Sequence, residues 1–538
     1  MNTLRLRPRD VYDDRPTLDR EAGEGVAMDD HGVRRVPATW RWGVIGATFT
    51  SFGVATAMIY PLSGAIYAQI YGAKAAIIGA VIATIYSLAA CYYIVRHVVN
   101  EGINSDLLSR SSFGYMGSAP IALLYATVCS FYFAAEGSVM AHALHETFPT
   151  IPYWGWAVVA SASFLIFGLF GMILLTKIQW LTLVLYFAGL LVAFWALLAG
   201  WDERVTLDAM RGWTAIEAPD GRFNVWSVLE ATGGYIGILG AILAVFHMDV
   251  ARFMRRESRG LGGLFFVVVN VVFPVLIMYL VGIQMLAASD QVDPGVTLVR
   301  LIGPLGLFVT LITQLRINLL NLYGGTLGLA NFCSRVFGFV PGRQFWVIPF
   351  LVIATIIILT PFRENFGVVS IYISIFLCAW VSTIIGERVL VRHRRALPRW
   401  SEVRRAYLAD YNVVGLISMW VPVAIACVMA SKVFGDKAFA LAVPFSIVAP
   451  FVMPALVAAL IGEERLLRSY VGRDVVVPPQ DRDSLDCVVC EQSFHRSDFA
   501  ACPFHDGWIC TYCCMSELRC KTVCRSDAPP PSIPILES

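Results

Sequence analysis

Residues 226–253 read WSVLEATGGYIGILGAILAVFHMDVARF, and this stretch decides the fold of the chain. It is apolar and long enough to cross a lipid bilayer, which takes about 20 residues. Around Tyr235 its middle holds four glycines, namely Gly233, Gly234, Gly237 and Gly240. A glycine inside a helix costs roughly 1 kcal/mol relative to alanine. Two explanations fit: close packing against another helix, or a discontinuous helix whose exposed backbone groups contact a solute in mid-membrane.

The composition of the whole chain is that of a multi-pass membrane protein. Of its 538 residues, 57% are hydrophobic and 12% are aromatic, which is more apolar than a soluble domain. The formal net charge is only +2, so no nucleic-acid partner is expected. Residues 1–40 are polar and contain no signal-peptide core, so they are predicted to form a cytosolic tail.

Apolar stretches predict twelve membrane crossings, and the predicted fold class is therefore an all-α membrane protein in the lipid bilayer. We number these crossings segments 1 to 12, and they cover residues 43–71, 75–95, 119–143, 153–175, 178–199, 226–248, 264–286, 301–329, 346–360, 366–385, 413–429 and 439–460. Arginines cluster before segment 1 and after segments 6, 8 and 10. Because basic loops stay in the cytoplasm, both termini are predicted to be cytosolic, with the protein in the cytoplasmic (inner) membrane.

Segments 1 and 6 share a feature that relates the two halves of the chain. Pro61 and Gly64 interrupt the middle of segment 1, as the glycines interrupt segment 6. Interrupted helices five crossings apart are typical of a 5+5 inverted repeat. Proline kinks without such symmetry are also common in membrane helices.

Three short motifs resemble those of the nucleobase:cation symporter family, which includes cytosine/purine permeases and uracil, allantoin and hydantoin transporters. They are SRSSFGYMGS at 109–118, MDVARF at 248–253, in which Ala251 replaces the usual hydroxyl residue, and NLYGGTL at 321–327. The likeness extends over residues 40–462, the whole membrane part. It implies a leucine-transporter-type fold in which broken segments 1 and 6 enclose a central site. Segments 3 and 8 flank this site, and segments 11 and 12 are two additional helices.

The resemblance also implies which residues contact a flat heterocyclic substrate. Tyr132 of segment 3 takes the position of an aromatic residue that stacks on the ring, and Glu136 lies four residues later on the same helix face. Gly234 and Tyr235 of segment 6 are expected on the other side of the ring. Ordinary aromatic packing explains each tyrosine equally well, whereas a carboxylate in mid-membrane is by default functional.

Polar residues on segment 8 and at the end of segment 6 complete the predicted site. Gln314, Asn318 and Asn321 share one face of segment 8 and are predicted to line the cavity. The alternative is hydrogen bonding between helices, which we favour for Asn321. Asp249 and Arg252 are predicted to form a gate or a capping pair, and not to bind substrate.

Arg316 changes the expected ion coupling. At the positions of Leu315 and Arg316, sodium-dependent members of the family carry a Ser–Thr pair that holds the ion. Leucine has no ligand atom, and a guanidinium has five donors and no acceptor, so no sodium is expected. Three arrangements are open: Arg316 takes the place of the ion beside segment 1, it pairs with Glu136, or it faces a watery vestibule. Transport by proton coupling, exchange or facilitated diffusion is predicted, with Glu136 as the candidate proton carrier.

A cysteine-rich tail follows segment 12. Eight of the chain's 13 cysteines lie from Cys487 to Cys524, and seven of them form four ligand pairs with His505 that suit two Zn²⁺ ions. Disulfides are the alternative, which a reducing cytosol disfavours. The pattern resembles cross-braced RING and FYVE modules. The resemblance implies one zinc held by Cys487, Cys490, Cys510 and Cys513, and a second held by Cys502, His505, Cys520 and Cys524. Cys514 and His495 are spare ligands.

The sequence thus predicts an N-terminal tail (1–40), a transporter domain (41–462), a linker (463–484), a zinc-binding module (485–526) and a Pro-rich end (527–538). The predicted function is secondary transport of a small planar nitrogen heterocycle such as a nucleobase, hydantoin or allantoin. The alternative is a transporter-like sensor that signals to a cytosolic protein partner through its zinc-binding tail. The sequence has no phosphate loop, nucleophile elbow or zincin helix, so no enzyme is predicted.

Overall fold

The computed structural model describes residues 34–168, 172–237, 242–339, 343–360, 366–393, 397, 400–472, 476, 478, 484–517, 520 and 524. Helices lie at all twelve predicted segments. Within the described ranges, 8 helices are individually long and apolar enough to span a membrane, and a bent pair in segment 1 brings the number to 9. Segments 4, 6 and 9 consist of shorter helices.

The helices have the following bounds. Segments 1 to 6 are Val44–Ala55 with Ile59–Tyr71, Ala73–Glu101, Ala119–Thr147, Tyr153–Gly168, Met172–Leu198, and Val225–Tyr235 with Ile242–Ala251. Segments 7 to 12 are Leu261–Val271 continuing through a π-helical turn into Tyr279–Ser289, then Pro304–Val336, Val347–Leu359, Phe366–Gly386, Val413–Ala430 and Asp436–Leu460. Shorter helices between and after them are Ser105–Phe113, Leu207–Arg211, Pro294–Ile302 and Glu463–Tyr470.

Segment 1 is broken, but earlier than predicted. Its first helix, segment 1a, ends at Ala55, and its second helix, segment 1b, begins at Ile59 with a bend of 43° between them. Pro61 and Gly64 both lie inside segment 1b. Pro61 is its third residue, where a backbone N–H has no partner within the helix. Proline therefore marks the start of the second helix and not the break itself.

Segment 6 also consists of two helices. Segment 6a ends at Tyr235 and continues into a π-helical turn at 236–237, and segment 6b begins at Ile242. Residues 238–241, which include the predicted breaker Gly240, lie outside the described residues. The end of segment 6a is positioned close to segment 1b, as described below.

The helix packing repeats with the symmetry of two inverted halves. Segment 1b packs on segment 7, and segment 6a, part of the corresponding broken segment of the second half, packs on segment 2. Segments 3 and 8, which also correspond to each other, pack along each other in the middle. Small residues allow the close approaches: an added Cβ at Gly64 would clash with the Tyr279 backbone, and one at Gly282 would clash with the Pro61 backbone. Segments 11 and 12 pack on each other and on segment 10. This is the predicted 5+5 arrangement with two additional helices.

The cysteine-rich tail forms a small module on one end of the bundle, which we call the tail side. Strand Ser484–Asp486 pairs with Ser493–His495, strand Phe499–Cys502 pairs with Gly507–Cys510, and helix Thr511–Ser516 follows. Buried side chains of the module, such as Phe494 and Phe499, share one hydrophobic cluster with Tyr407 and Tyr470 of the membrane domain.

Candidate functional site

Glu136 lies at the break of segment 1, although it belongs to segment 3. Its side chain is fully buried, and its Oε1 accepts a hydrogen bond of 3.2 Å from the backbone N–H of Ile59. Ile59 is the first residue of segment 1b, so this N–H has no intrahelical partner and lies at the positive end of the helix dipole. The second oxygen, Oε2, has no hydrogen-bond partner among the described residues.

Gln314 of segment 8 lies beside the Glu136 carboxylate. Its amide is fully buried, and neither its oxygen nor its nitrogen makes a hydrogen bond of normal geometry within the described part of the chain. Buried polar groups in native proteins nearly always have partners. Glu136 and Gln314 together therefore present unused acceptors and donors that a polar ligand can satisfy.

Aromatic side chains from four segments form a cluster that includes Tyr132. Tyr132 lies one turn before Glu136 and is 4% exposed, and the ring centroids of Tyr67 in segment 1b and Tyr235 in segment 6a are 4.9 Å apart at 60°. Tyr279 of segment 7 lies against Tyr235. An added Cβ at Gly234 would clash with the Tyr67 hydroxyl. The two broken segments therefore meet at this aromatic cluster, which sequence reasoning identified only through Tyr132 and Tyr235.

Asn318 connects segment 8 to segment 3, and Asn321 contacts Asn318. The Asn318 side-chain amide donates to the Phe133 carbonyl over 3.4 Å, and the Asn321 amide donates to the Asn318 Oδ1 over 3.1 Å. The Asn318 contact matches the alternative of hydrogen bonding between helices, whereas the bond made by Asn321 stays within segment 8. Of the three polar residues predicted on this face, Gln314 is the one beside Glu136.

Arg316 is fully buried in segment 8, so it does not face a watery vestibule. It lies near Tyr186 of segment 5. Among the described residues, the contacts of the Glu136 carboxylate include no cation, so it forms no ion pair with Arg316. Of the three arrangements left open by the sequence, only the first, in which the guanidinium takes the place of the ion, stays a prediction.

Asp249 at the end of segment 6 connects three elements on the tail side. Its carboxylate accepts hydrogen bonds from the Ser105 backbone N–H at 3.2 Å, the Ser105 hydroxyl at 3.1 Å and the Tyr125 hydroxyl at 3.0 Å. The positive charge of Arg252 lies near this carboxylate. Its Nε donates to the Asp249 backbone carbonyl at 3.1 Å, because the two residues are three positions apart at the end of a helix. The role of the two residues as a gate or capping pair stays a prediction.

The tail-side ends of segments 1 and 6 are joined next to Asp249. Trp42 stacks on Phe253 with ring centroids 4.8 Å apart and planes at 13°. The Arg255 backbone N–H donates to the Trp42 carbonyl at 3.0 Å. The pathway from the aromatic cluster to the tail side is thus crossed by direct contacts between segments 1, 3 and 6.

An ion cluster that sequence reasoning did not identify holds the loop between segments 2 and 3. Asp106 pairs with Arg110 at 2.8 Å and with Arg335 of segment 8, and all three side chains are buried. Burial alone would raise the pKa of Asp106, but the two guanidinium groups outweigh it and lower the pKa below the model-compound value of 3.8. Asp106 and Arg110 lie in or next to the SRSSFGYMGS motif, which is the signal that pointed to this loop.

Four cysteines of the tail come together as the cross-brace pattern implies. The sulfurs of Cys487, Cys490, Cys510 and Cys513 all lie within 4.8 Å of one another, and those of Cys490 and Cys510 are 3.9 Å apart. A tetrahedral ion with bonds of about 2.3 Å to sulfur requires a separation of about 3.8 Å. The Cys510 N–H donates to the Cys487 sulfur at 3.3 Å, which orients this thiolate as outer-shell hydrogen bonds do. The donor set and spacing fit a metal ion.

The second predicted ligand set is not assembled in this way. Cys502, Cys520 and Cys524 line one small cavity together with Cys514, whereas the Nε2 of His505 lies 3.4 Å from a Glu517 carboxylate oxygen. Within the described residues, only the first cluster brings its ligand atoms within ligating distance. The second zinc site stays a prediction.

No protein-family model matches this chain, and a search of curated proteins finds no relative. Solved structures do match. Mhp1, described as a nucleobase-cation-symport-1 family transporter in a closed conformation with bromovinylhydantoin bound, has a TM-score of 0.59 at 16% identity, over 82% of this chain and 98% of that one. Mhp1 in an inward-facing conformation has the same TM-score and identity over 80% and 95%.

A third solved structure extends the likeness beyond Mhp1. A Na⁺-coupled sialic acid symporter in a substrate-bound, outward-open state has a TM-score of 0.56 at 12% identity, over 81% of this chain and 93% of that one. The three structures are of two proteins, one named as a transporter and the other as a symporter. The chain thus has the leucine-transporter-type fold that its motifs predicted, the fold of the nucleobase-cation-symport-1 family transporter Mhp1.

Proposed function

We propose that this protein is a secondary transporter that moves a small planar nitrogen heterocycle, of the nucleobase, hydantoin or allantoin type, by alternating access. The observation that carries the proposal is the Glu136 carboxylate at the break of segment 1, with one oxygen on Ile59 N–H and the other without a partner. A buried carboxylate in the membrane part of a protein is costly and marks function.

The chemistry of the surroundings selects a flat, hydrogen-bonding solute. The unpartnered Glu136 oxygen accepts ring N–H groups, and the neighbouring Gln314 amide both donates and accepts. Tyr132 and Tyr235 supply aromatic faces on two sides. A planar ring with N–H and C=O groups on its edge satisfies both kinds of contact, and it is the kind of solute bound in the similar structure of Mhp1.

Coupling to sodium does not fit the residues of segment 8. Leu315 offers no ligand and Arg316 brings a permanent positive charge, buried next to segment 5. Glu136 is the candidate proton carrier, because a carboxylate with one open oxygen and no cation within ion-pairing distance is free to bind a proton with the substrate. On this proposal the tail side faces the cytosol, both termini are cytosolic, and the protein lies in the inner membrane.

Uptake into proteoliposomes tests the proposal. Radiolabelled hydantoin, uracil, cytosine, adenine and allantoin are offered with sodium outside, and again with sodium replaced by choline. We expect uptake of at least one compound at the same rate in both media. A strict sodium requirement would refute the coupling, and no uptake of any of the compounds would count against the substrate class.

For the tail we propose a zinc ion bound by Cys487, Cys490, Cys510 and Cys513. Bound zinc would supply the folding free energy that so small a module cannot obtain from its core. Metal analysis of the purified protein tests this, with about one zinc per chain expected from the assembled cluster and a second if the remaining predicted ligands also bind.

The alternative function is a membrane sensor that signals through this tail. The observation that favours it is the direct contact of the module with the membrane domain, for instance the hydrogen bond from the Ala501 N–H to the Tyr407 hydroxyl at 3.1 Å. Truncation before residue 484 distinguishes a transporter from a sensor. Uptake that survives truncation indicates a transporter, whereas substrate binding without any uptake in the full chain indicates a sensor.

A further inference from the structure

The first half of the tail module contacts the stretch that leads into segment 1. The Arg34 guanidinium lies over the Phe494 ring, 4.9 Å from its centroid. The buried Asp498 carboxylate lies near Arg34 and Arg35. Burial raises the pKa of Asp498, and these arginines oppose that shift by favouring its charged form. A cation–π contact and a buried charge contact thus attach this part of the module to residues 34–35.

The second half of the module contacts the loops between segments 10 and 11 and between segments 2 and 3, and the first of these loops also reaches the other half, where Arg404 donates to the Phe499 carbonyl at 2.9 Å. Arg405, between segments 10 and 11, donates to the carbonyl oxygens of Cys514 at 2.9 Å and Glu517 at 3.0 Å, at the end of helix Thr511–Ser516. Arg110, between segments 2 and 3, donates to the Met515 sulfur at 3.1 Å. The same Arg110 holds Asp106 and, at 3.0 Å, Asn331 of segment 8.

The four-cysteine cluster joins these two halves. Cys487 and Cys490 immediately precede the strand that carries Phe494, and Cys510 and Cys513 lie at the start of the helix that Arg405 and Arg110 contact. A metal ion on the cluster therefore fixes the Arg34 contact and the Arg405 contact relative to each other. Besides the ion, the halves are joined by hydrogen bonds from the Val488 N–H to the Trp508 carbonyl at 3.1 Å and from the Thr511 hydroxyl to the Asp498 carbonyl at 2.7 Å. A module of this size nevertheless takes much of its folding free energy from the metal.

Residues 34–42 connect the module to the moving parts of the fold. Arg35 donates to the Ser401 carbonyl at 2.5 Å, and Trp42, directly before segment 1a, stacks on Phe253 of segment 6. In folds built from inverted repeats, alternating access is largely a rocking of one bundle against the other. If the transporter opens on the tail side, the ends of segments 1 and 6 have to move away from the loops at 105–113 and 404–407. The module contacts these same loops.

We propose that the metal-loaded tail is an intramolecular clamp that keeps the tail side of the transporter closed, so that metal occupancy of the four cysteines controls opening on that side. Loss of the metal separates the two halves of the module and frees residues 34–55 from the loops at 105–113 and 404–407. The clamp requires metal binding by the cluster, which metal analysis measures separately, and it does not depend on which solute is transported.

Hydrogen–deuterium exchange on the full-length protein in nanodiscs tests the clamp without a substrate. The four samples are the zinc-loaded wild type, the wild type after treatment with a strong zinc chelator, Arg405→Ala, and Arg465→Ala as the control. Arg405 is nearly buried and contacts the module, whereas Arg465 is exposed on the helix Glu463–Tyr470. Zinc content is measured on each sample.

We expect chelation to raise amide exchange several-fold in residues 34–55 and 105–113, and not only in the module. Arg405→Ala is expected to produce the same rise in 34–55 with its zinc retained, and Arg465→Ala to match the wild type. Faster exchange confined to 484–517 after chelation would overturn the clamp, and so would a wild type that binds no zinc. If Arg405→Ala loses its zinc, it no longer separates the effect of the contact from that of the metal. The comparison of the zinc-loaded with the chelated wild type then decides the outcome.

Discussion

The Glu136 carboxylate caps the second half of segment 1 by accepting a hydrogen bond from the Ile59 N–H at 3.2 Å. A negative charge at a helix N-terminus stabilises the helix by about 0.3–1 kcal/mol, and by up to about 2 kcal/mol when partly buried. The same carboxylate, next to Gln314, keeps its second oxygen without a hydrogen-bond partner among the described residues. Substrate binding, protonation and the geometry of the helix break are therefore linked through one side chain.

Glu136→Gln removes the charge and keeps the cap, since an amide oxygen also accepts from the Ile59 N–H. We expect the variant to fold and to lose the stimulation of uptake by an inward proton gradient. Its affinity for substrate should fall at least roughly tenfold, because a hydrogen bond to a charged acceptor contributes about that much. Uptake into proteoliposomes with and without a pH gradient measures both effects.

The matched control for this variant lies on the same helix. Glu146→Gln changes a half-buried carboxylate that pairs with Arg300 at 2.8 Å, ten residues along segment 3. It should leave the response to the proton gradient intact. If Glu136→Gln and Glu146→Gln responded equally to the proton gradient, Glu136 would have no role in proton coupling.

Gly64→Ala tests the close approach of segments 1b and 7. The added Cβ would clash with the Tyr279 backbone, and overpacking of this kind costs about 1–3 kcal/mol or more. We expect a lower thermal unfolding midpoint and reduced uptake. Gly46→Ala in segment 1a meets nothing within 4 Å, so it should be neutral or slightly stabilising. Equal midpoints for both variants would contradict the packing described here.

Asp106→Asn tests the ion cluster between segments 2, 3 and 8. Removing one partner of a buried ion pair costs about 3–5 kcal/mol, so thermal unfolding of the variant should begin at a clearly lower temperature. Asp208→Asn is the control, since its pair with Arg211 is exposed and such pairs contribute little. An unchanged midpoint in Asp106→Asn would show that Arg110 and Arg335 are held by other contacts.

The pH dependence of this effect has a definite sign. Because the pKa of Asp106 is lowered in the folded protein, its stabilisation is present above 3.8 and is lost as the pH falls through the lowered pKa. Between about pH 5 and about pH 8, the difference between wild type and variant should therefore stay constant. A difference that shrinks across this range would contradict the lowered pKa.

Cys490→Ser tests the metal centre. We expect the variant to lose the zinc of the four-cysteine cluster, because one of its ligands is removed. The control is Cys427→Ser, a half-buried cysteine in segment 11, which should retain all zinc. Metal analysis of the purified proteins measures both, and unchanged zinc in Cys490→Ser would assign the metal to other ligands.

The sequence predicted the broken segments because breakers are local signals, but it did not locate the break itself. Pro61 was read as an interruption, whereas a proline in the first turn is compatible with a helix that has just begun. The position of the break depends on the Glu136 cap, which comes from a residue 77 positions away from Ile59. Contacts of this range are not encoded in any local pattern.

The resemblance to cross-braced modules grouped Cys487, Cys490, Cys510 and Cys513, and the structure brings these four sulfurs together, while metal binding by them stays a prediction. The docking of the module was not predicted, because Arg405 and Arg110 are single basic residues in charged loops and their partners are backbone or sulfur atoms of the tail. For Arg316, periodicity placed the residue in the membrane but did not indicate which neighbouring helix it faces.

The most direct test of the account is a thermal-shift screen of the purified protein against purines, pyrimidines, hydantoins and allantoin, run on wild type, Tyr132→Ala and Tyr132→Phe. We expect at least one compound to raise the unfolding midpoint of the wild type and of Tyr132→Phe, which keeps the aromatic face, and to leave Tyr132→Ala unchanged. No shift with any compound, or an equal shift in Tyr132→Ala, would contradict a planar solute bound where the two broken helices meet.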